Sequence, residues 1–257
     1  METPTKEHSA LLAQATYQLG EKGVNKKKRV ENANKLVEKT GYVVNSKHSN
    51  SEITTYQHKD NPNNVFIAHR GTKVDTDRRN KNFNDITADL MFAVGLGGHD
   101  AKMKRRKNKT NSIIKALNPE QLHMGSHSLG GASQNYTIAK SKKVKDKLTS
   151  AKTFNSAAHP VFDNDTAVSK KVKKELENKV EHHRIKNDPV SAGFLTNVPF
   201  GKLKTHSVKH NSEKGKSLLQ NLVESGTAIG KAKKFTERGI HAHLISHFHD
   251  GSIKQKK

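Results

Sequence analysis

The chain contains no cysteine, so it can form no disulfide and carry out no thiol chemistry. That absence favours a reducing compartment. Tryptophan is also missing, and apolar residues make up only 32% of the sequence, a composition that approaches that of disordered chains. A folded core must then be concentrated in short strands, with lysine left to helices, loops and tails. No stretch approaches the ~20 apolar residues of a membrane-spanning helix. Met1-Glu2-Thr3-Pro4-Thr5 lacks the basic-then-apolar pattern of a signal peptide, which predicts a protein that does not use that route and stays in the cytoplasm. Repeats and Pro-rich or Gly/Ser-rich linkers are absent too, so the 257 residues suit a single α/β domain.

Acidic residues are scarce: 24 stand against 47 lysines and arginines, a formal net charge of +23. Such a chain is drawn to polyanions, whether nucleic acid, acidic protein or anionic lipid. The basic runs are Lys26 to Arg29, Lys102 to Lys109, Lys140 to Lys147 and Lys170 to Lys174. They are dispersed, as on a solvated surface. No helix-turn-helix, zinc-finger or RNA-recognition signature accompanies them, so only non-specific nucleic-acid contact is implied.

What is present has local pattern. Leu11, Leu12, Ala15 and Leu19 form one helical stripe, and Val30, Ala33 and Leu36 a second, broken apart at Gly20 and Gly23. This predicts an N-terminal helical segment over residues 1–40, followed by the main domain over 41–250 and a basic tail over 251–257. Gly41 to Val44 and Glu52 to Tyr56 suit strands joined by a polar turn. Val65 to Ala68 is a continuous apolar run, as in a central strand. Residues 99 to 110 read as a basic surface segment, Asn111 to Leu117 and Val168 to Lys179 as helices, and Lys202 to His210 as strand or loop. Residues 216 to 235 suit a basic helix.

The most informative stretch is Gly125-Ser126-His127-Ser128-Leu129-Gly130-Gly131. Leu122, His123 and Met124 finish a strand before it, and Ala132, Tyr136 and Ala139 follow at helical spacing. A serine on such a strand-to-helix turn is held in strained geometry with its hydroxyl presented above a sheet. The N–H of Leu129 then points where an oxyanion would form. The usual pattern is G-x-S-x-G, and here Ser126 takes the place of the first glycine. The other reading of the same residues is a plain turn whose glycines serve only geometry.

His-Ser-Leu-Gly-Gly resembles the nucleophile elbow of the class 3 (fungal-type) lipases, a branch of the α/β-hydrolases. Further blocks follow in the family's order. Val65 to Thr72 is similar to its strand ending in aromatic-Arg-Gly-Thr/Ser, with His69 in the aromatic position. Asn84 to Leu90 resembles the segment after its lid, and residues 73 to 83 take the lid's place with almost no apolar face. Thr153-Phe154-Asn155-Ser156-Ala157 resembles its Thr-Phe-Gly-Ser/Ala strand. His183 to Val190 resembles the strand ending in Asp-Pro-Val, and His243 to Phe248 the terminal histidine block. The resemblance spans roughly Gly41 to Phe248 and implies an α/β-hydrolase fold, with a mostly parallel central sheet flanked by helices.

The resemblance also implies roles. Ser128 is the nucleophile, Asp188 the acid and His243 the base, in the chain order these hydrolases use. Leu129 and Thr72 supply the oxyanion hole. Arg70 is expected to brace its loop, against Asp89, and His127 to pack. Asp163 and Asp165 are weaker candidates for the acid, and His206, His241 and His247 rival His243. His241, His243, His247 and His249 also admit a metal reading, but no H-E-x-x-H pattern accompanies them and surface histidines are the better account. No metal or cofactor is expected.

The implied activity is hydrolysis of carboxylic esters, by a triacylglycerol lipase or phospholipase, and the charge favours esters in anionic membranes. The Lys- and Asn-rich form of the fold is similar to lipase-like proteins of large DNA viruses, which implies a place in a virus particle as well as in the cytoplasm. The alternative is a decayed lipase-like fold acting as a basic structural, nucleic-acid-binding or membrane-binding protein of such a particle.

Overall fold

Helix starts in this chain are written in single capping residues. Thr5 accepts the N–H of His8 at 3.1 Å, and α1 (Lys6–Leu19) follows; Asn25 accepts the N–H of Lys28 at 2.9 Å, and α2 (Lys26–Val37) follows. The computed structural model describes residues 3–21, 23–71, 99–157, 168–186, 188, 191, 200–207 and 245–250. Within them the elements run on as β1 (Tyr42–Val44), β2 (Ile53–His58), β3 (Asn64–His69), α3 (His99–Leu117), β4 (Gln121–His127), α4 (Leu129–Lys140), α5 (Lys142–Lys147), β5 (Leu148–Phe154), α6 (Lys170–Leu176), β6 (Val180–Ile185), β7 (Lys202–His206) and a terminal 3-10 turn, Ile245–Phe248.

The seven strands form one sheet in chain order, β1 to β7. The first two pairings are antiparallel; from β3 onward every pairing is parallel. Parallel strands are covered on both faces, and Val65 to Ala68 shows why the run is continuously apolar. Val65 and Ile67, with Met124 of β4, face one layer, where α3, α4, α5 and α6 contribute Ile113, Ile138, Val144 and Leu176. Phe66 and Ala68 face the other, where Leu12, Ala15 and Leu19 of α1 and Ala33 and Val37 of α2 cover them. Farther along that second face, Ala10 and Ala13 of α1 meet Phe154, Ile185, Ile245 and Phe248. The result is a three-layer α/β arrangement with a mostly parallel sheet. Among the described residues no helix is long and apolar enough to cross a membrane.

Two elements differ from expectation. Residues 99 to 110 are not a separate basic segment; they form the first half of α3. Met103, Arg106, Thr110, Ile113 and Ile114 recur on one buried helix face, two of them polar, so hydropathy hides the stripe. The helix expected over Val168 to Lys179 is shorter, beginning where Ser169 caps the N–H of Val172 at 3.4 Å. The lid stretch, the helix expected over residues 216 to 235 and the tail over 251–257 lie outside the described residues, as do Asp163 and Asp165.

Candidate active site

Ser128 joins β4 to α4 with φ of 58°, a left-handed value that a side-chain-bearing residue holds only when its surroundings impose it. Three backbone bonds impose it here. Its N–H donates to the carbonyl of Phe154 at 3.0 Å, and its own carbonyl accepts from Gly131 at 2.9 Å and Ala157 at 3.2 Å. The Ser128 hydroxyl is buried and has no hydrogen-bond partner among the described residues. Leu129 opens α4, so its N–H belongs to the first turn, where no intrahelical acceptor exists.

Small residues let three backbones meet at this point. A methyl group on Gly130 would stand 2.1 Å from the carbonyl oxygen of His69. One on Gly71 would stand 2.7 Å from the His127 carbonyl and 3.2 Å from Cβ of Ser128. Gly71 therefore lies directly against the serine, and Thr72, the residue after it, lies outside the described residues.

The departures from the family pattern have local explanations. Ser126 is fully buried, and its hydroxyl accepts the N–H of His69 at 2.9 Å, tying the end of β3 to β4. His69 bridges two helices: Nδ1 shares a hydrogen bond with Ser133 of α4 at 3.0 Å, and Nε2 with Thr110 of α3 at 3.0 Å. Burial, with the charge of Arg106, holds its pKa down at about 3, so it is a neutral brace and not a base. Asn155 stands where the family pattern has glycine, at φ of 43°, which asparagine tolerates better than most residues. Its side-chain carbonyl accepts the N–H of Ile185 at 2.8 Å, joining the ends of β5 and β6.

Asp188 lies three residues beyond Ile185 and is 2% exposed. Its N–H donates to the Ile185 carbonyl at 3.2 Å, and its Oδ2 accepts the N–H of Ser191 at 2.8 Å. One strand, β5, separates β4 from β6, so the two strand ends stand about 10 Å apart. Ser128 and Asp188 thus occupy the carboxyl edge of the parallel sheet, where α/β proteins place their ligands.

His243 and His241 lie outside the described residues, and so does the side chain of His247. Ile245, two residues after His243, is buried in the same cluster as Ile185. His206 is not brought to Ser128. It ends β7, three strands from β4, with its ring stacked on His183 at 5.2 Å and a 3.0 Å hydrogen bond between the two imidazoles. His183 in turn bonds Glu181 at 3.2 Å. Burial and the neighbouring His183 and lysines hold His206 at about 4, a weak base. His249 bonds Gln14 of α1. Among the described residues no group of three or more His, Asp or Glu side chains could hold a metal ion.

Two residues, Tyr17 and Arg106, gain roles that the sequence did not suggest. Tyr17 of α1 shares a 2.9 Å hydrogen bond with Nδ1 of His127, and a methyl group on Gly71 would meet its hydroxyl at 2.5 Å. His127 thus packs as expected, edge-on to Tyr17, and is also hydrogen-bonded. Arg70 turns its guanidinium onto Gly20 at the end of α1, while Asp89, its expected partner, lies outside the described residues. Arg106 donates to the carbonyl of Arg70 at 2.8 Å. Only the buried spacing of Arg106 with Met103 and Ile113 could have signalled it. Comparison with known proteins finds no matching family model, no matching curated protein and no matching solved structure.

Proposed function

We propose that the chain is a serine hydrolase of carboxylic esters with an α/β-hydrolase fold. The observation that carries this reading is Ser128 itself: a non-glycine residue held at positive φ on a strand-to-helix turn, its buried hydroxyl unbonded among the described residues, at the carboxyl edge of a parallel sheet. A serine serving only as a turn residue gains nothing from that conformation, which costs of the order of 1–3 kcal/mol. Ser128 attacks the ester carbonyl while His243 takes its proton. Asp188 fixes the imidazole tautomer and stabilises the imidazolium. The N–H groups of Leu129 and Thr72 receive the oxyanion. His243 then protonates the leaving alcohol, and water clears the acyl-enzyme by the reverse path. No metal or organic cofactor enters.

The favoured substrates are acyl esters of membrane phospholipids. The layer formed by α3, α5 and α6 supports that choice: Lys104, Lys109, Lys142, Lys143, Lys170, Lys171 and Lys174 are all exposed on it. Basic residues near an anionic surface contribute about 1 kcal/mol each.

The test is hydrolysis of a short-chain p-nitrophenyl ester. Ser128→Ala, Asp188→Asn and His243→Ala are each expected to lower kcat at least roughly a thousandfold. Retention of wild-type rates by Ser128→Ala would end the proposal. An inactive wild type, on this ester and on anionic phospholipid vesicles alike, would favour the non-enzymatic basic protein.

A further inference from the structure

Cations crowd the end of β3 beside Ser128. Arg106 is 3% exposed; its Nη1 donates to the Arg70 carbonyl, and its Nε has no hydrogen-bond partner among the described residues. Arg70 is half-buried, and its Nε is likewise unpartnered. Lys102 lies one helical turn before Arg106 on α3, also half-buried. The carboxylate whose field reaches all three is Glu52, and Arg105 already holds it through two bonds of 2.7 and 3.2 Å. Desolvation draws all three groups down, Arg106 to about 10. The C-terminus of α1, at Gly20, meets part of the charge on Arg70. Among the described residues neither Arg106 nor Lys102 has an ion-pair partner.

Among the described residues the one carboxylate whose field reaches these cations is Glu52, already held by Arg105; partly desolvated cations so weakly balanced are costly, and the usual solution is an anion. We propose that Arg70, Arg106 and Lys102 form a binding site for a phosphate-type oxyanion beside Ser128, and that the ester substrate carries this group. The second half rests on the hydrolase reading above; the first does not. Guanidinium forks match phosphate oxygens in pairs, and an ammonium adds a mobile point charge. Arg70 is joined to Gly71, whose backbone abuts Ser128, so the site is anchored to the same loop that borders the nucleophile. In a glycerophospholipid the phosphate is linked to the acyl esters through the glycerol carbons, so one molecule carries both the anion and the attacked ester. A neutral triglyceride has nothing to place there.

The test separates the two halves. Thermal unfolding of the Ser128→Ala protein in inorganic phosphate is compared with chloride at equal ionic strength. Phosphate is expected to raise the midpoint by about 4 °C, and Lys102→Ala or Arg106→Gln to remove most of that rise. Lys102 is half-exposed, so Lys102→Ala serves if Arg106→Gln fails to fold. In the active protein, Lys102→Ala is expected to lower the ratio of kcat/KM for phosphatidylglycerol vesicles over that for p-nitrophenyl butyrate about tenfold. No phosphate effect, or an equal one in the variants, overturns the site even if the enzyme is active. A phosphate effect lost in the variants with an unchanged ratio keeps the site for free phosphate and overturns the substrate's part. A phosphate effect in a chain that hydrolyses neither ester keeps the site while the hydrolase reading falls.

Discussion

Ser128 is where strain and chemistry meet. Its φ of 58° is maintained by bonds to Phe154, Gly131 and Ala157, and glycine would adopt the same backbone without steric cost. Strain of about 1–3 kcal/mol exceeds the 0.5–1 kcal/mol that glycine loses to chain entropy. Ser128→Gly is therefore expected to stabilise the protein by about 1 kcal/mol in urea denaturation while abolishing ester hydrolysis. A variant less stable than wild type would show that the serine is not strained. The same logic explains Asn155, at φ of 43° where the family pattern has glycine: its side chain repays the conformation by bonding Ile185.

At the scale of elements, the site depends on how closely α4 approaches β3. Gly130 sits under the His69 carbonyl, and His69 is at the same time pinned by Ser133 and Thr110. A methyl at Gly130 would meet backbone and not a movable side chain, so either α4 or the end of β3 must shift. Gly130→Ala is expected to cost about 3 kcal/mol, read from the shift of the denaturation midpoint, or to give no soluble protein. A loss below about 0.5 kcal/mol would mean that helix and strand are not in close contact. Helix α1 closes the other side, with Tyr17 on His127 and Gly20 beneath Arg70, so the N-terminal helices are part of the scaffold around the serine.

Across the whole molecule, buried imidazoles set the response to acid. His69 is held near 3, and His123, His182 and His206 near 4, each chiefly by desolvation. Unfolding returns these histidines to about 6.5, so the unfolded chain binds more protons at intermediate pH. Their contribution is fully present above about pH 6.5 and is lost as pH falls toward 4. Glu181, lowered to about 2 by the hydrogen bond from His183 and by Lys204, against the opposing effect of burial, extends the loss to still lower pH. The thermal midpoint is expected to fall steeply between pH 6.5 and 4; a flat profile would mean that these rings are not buried neutral. Net charge makes the second prediction at this scale. With +23, vesicle co-sedimentation should favour phosphatidylglycerol over phosphatidylcholine and weaken markedly between roughly 0.1 and 1 M salt, as the Debye length shrinks. Equal binding to both lipids would remove the electrostatic basis for membrane contact.

The sequence by itself determined much of the secondary structure. The two N-terminal stripes, the apolar run from Val65 to Ala68 and the turn at Ser128 all depend on neighbours a few residues apart, so local periodicity and small residues expose them. It also marked Ser128 and Asp188, which follow β4 and β6, two strands of the parallel sheet with β5 between them. Only the tertiary structure decided what the polar residues do. Arg106 and Thr110 are buried because α3 lies across the end of β3, and His69 is neutral because two helices supply hydroxyls to its ring. Strand register brings His206, three strands from β4, against His183. Burial and hydrogen-bond partners arise between residues distant in sequence, and a polar residue declares neither in its own neighbourhood.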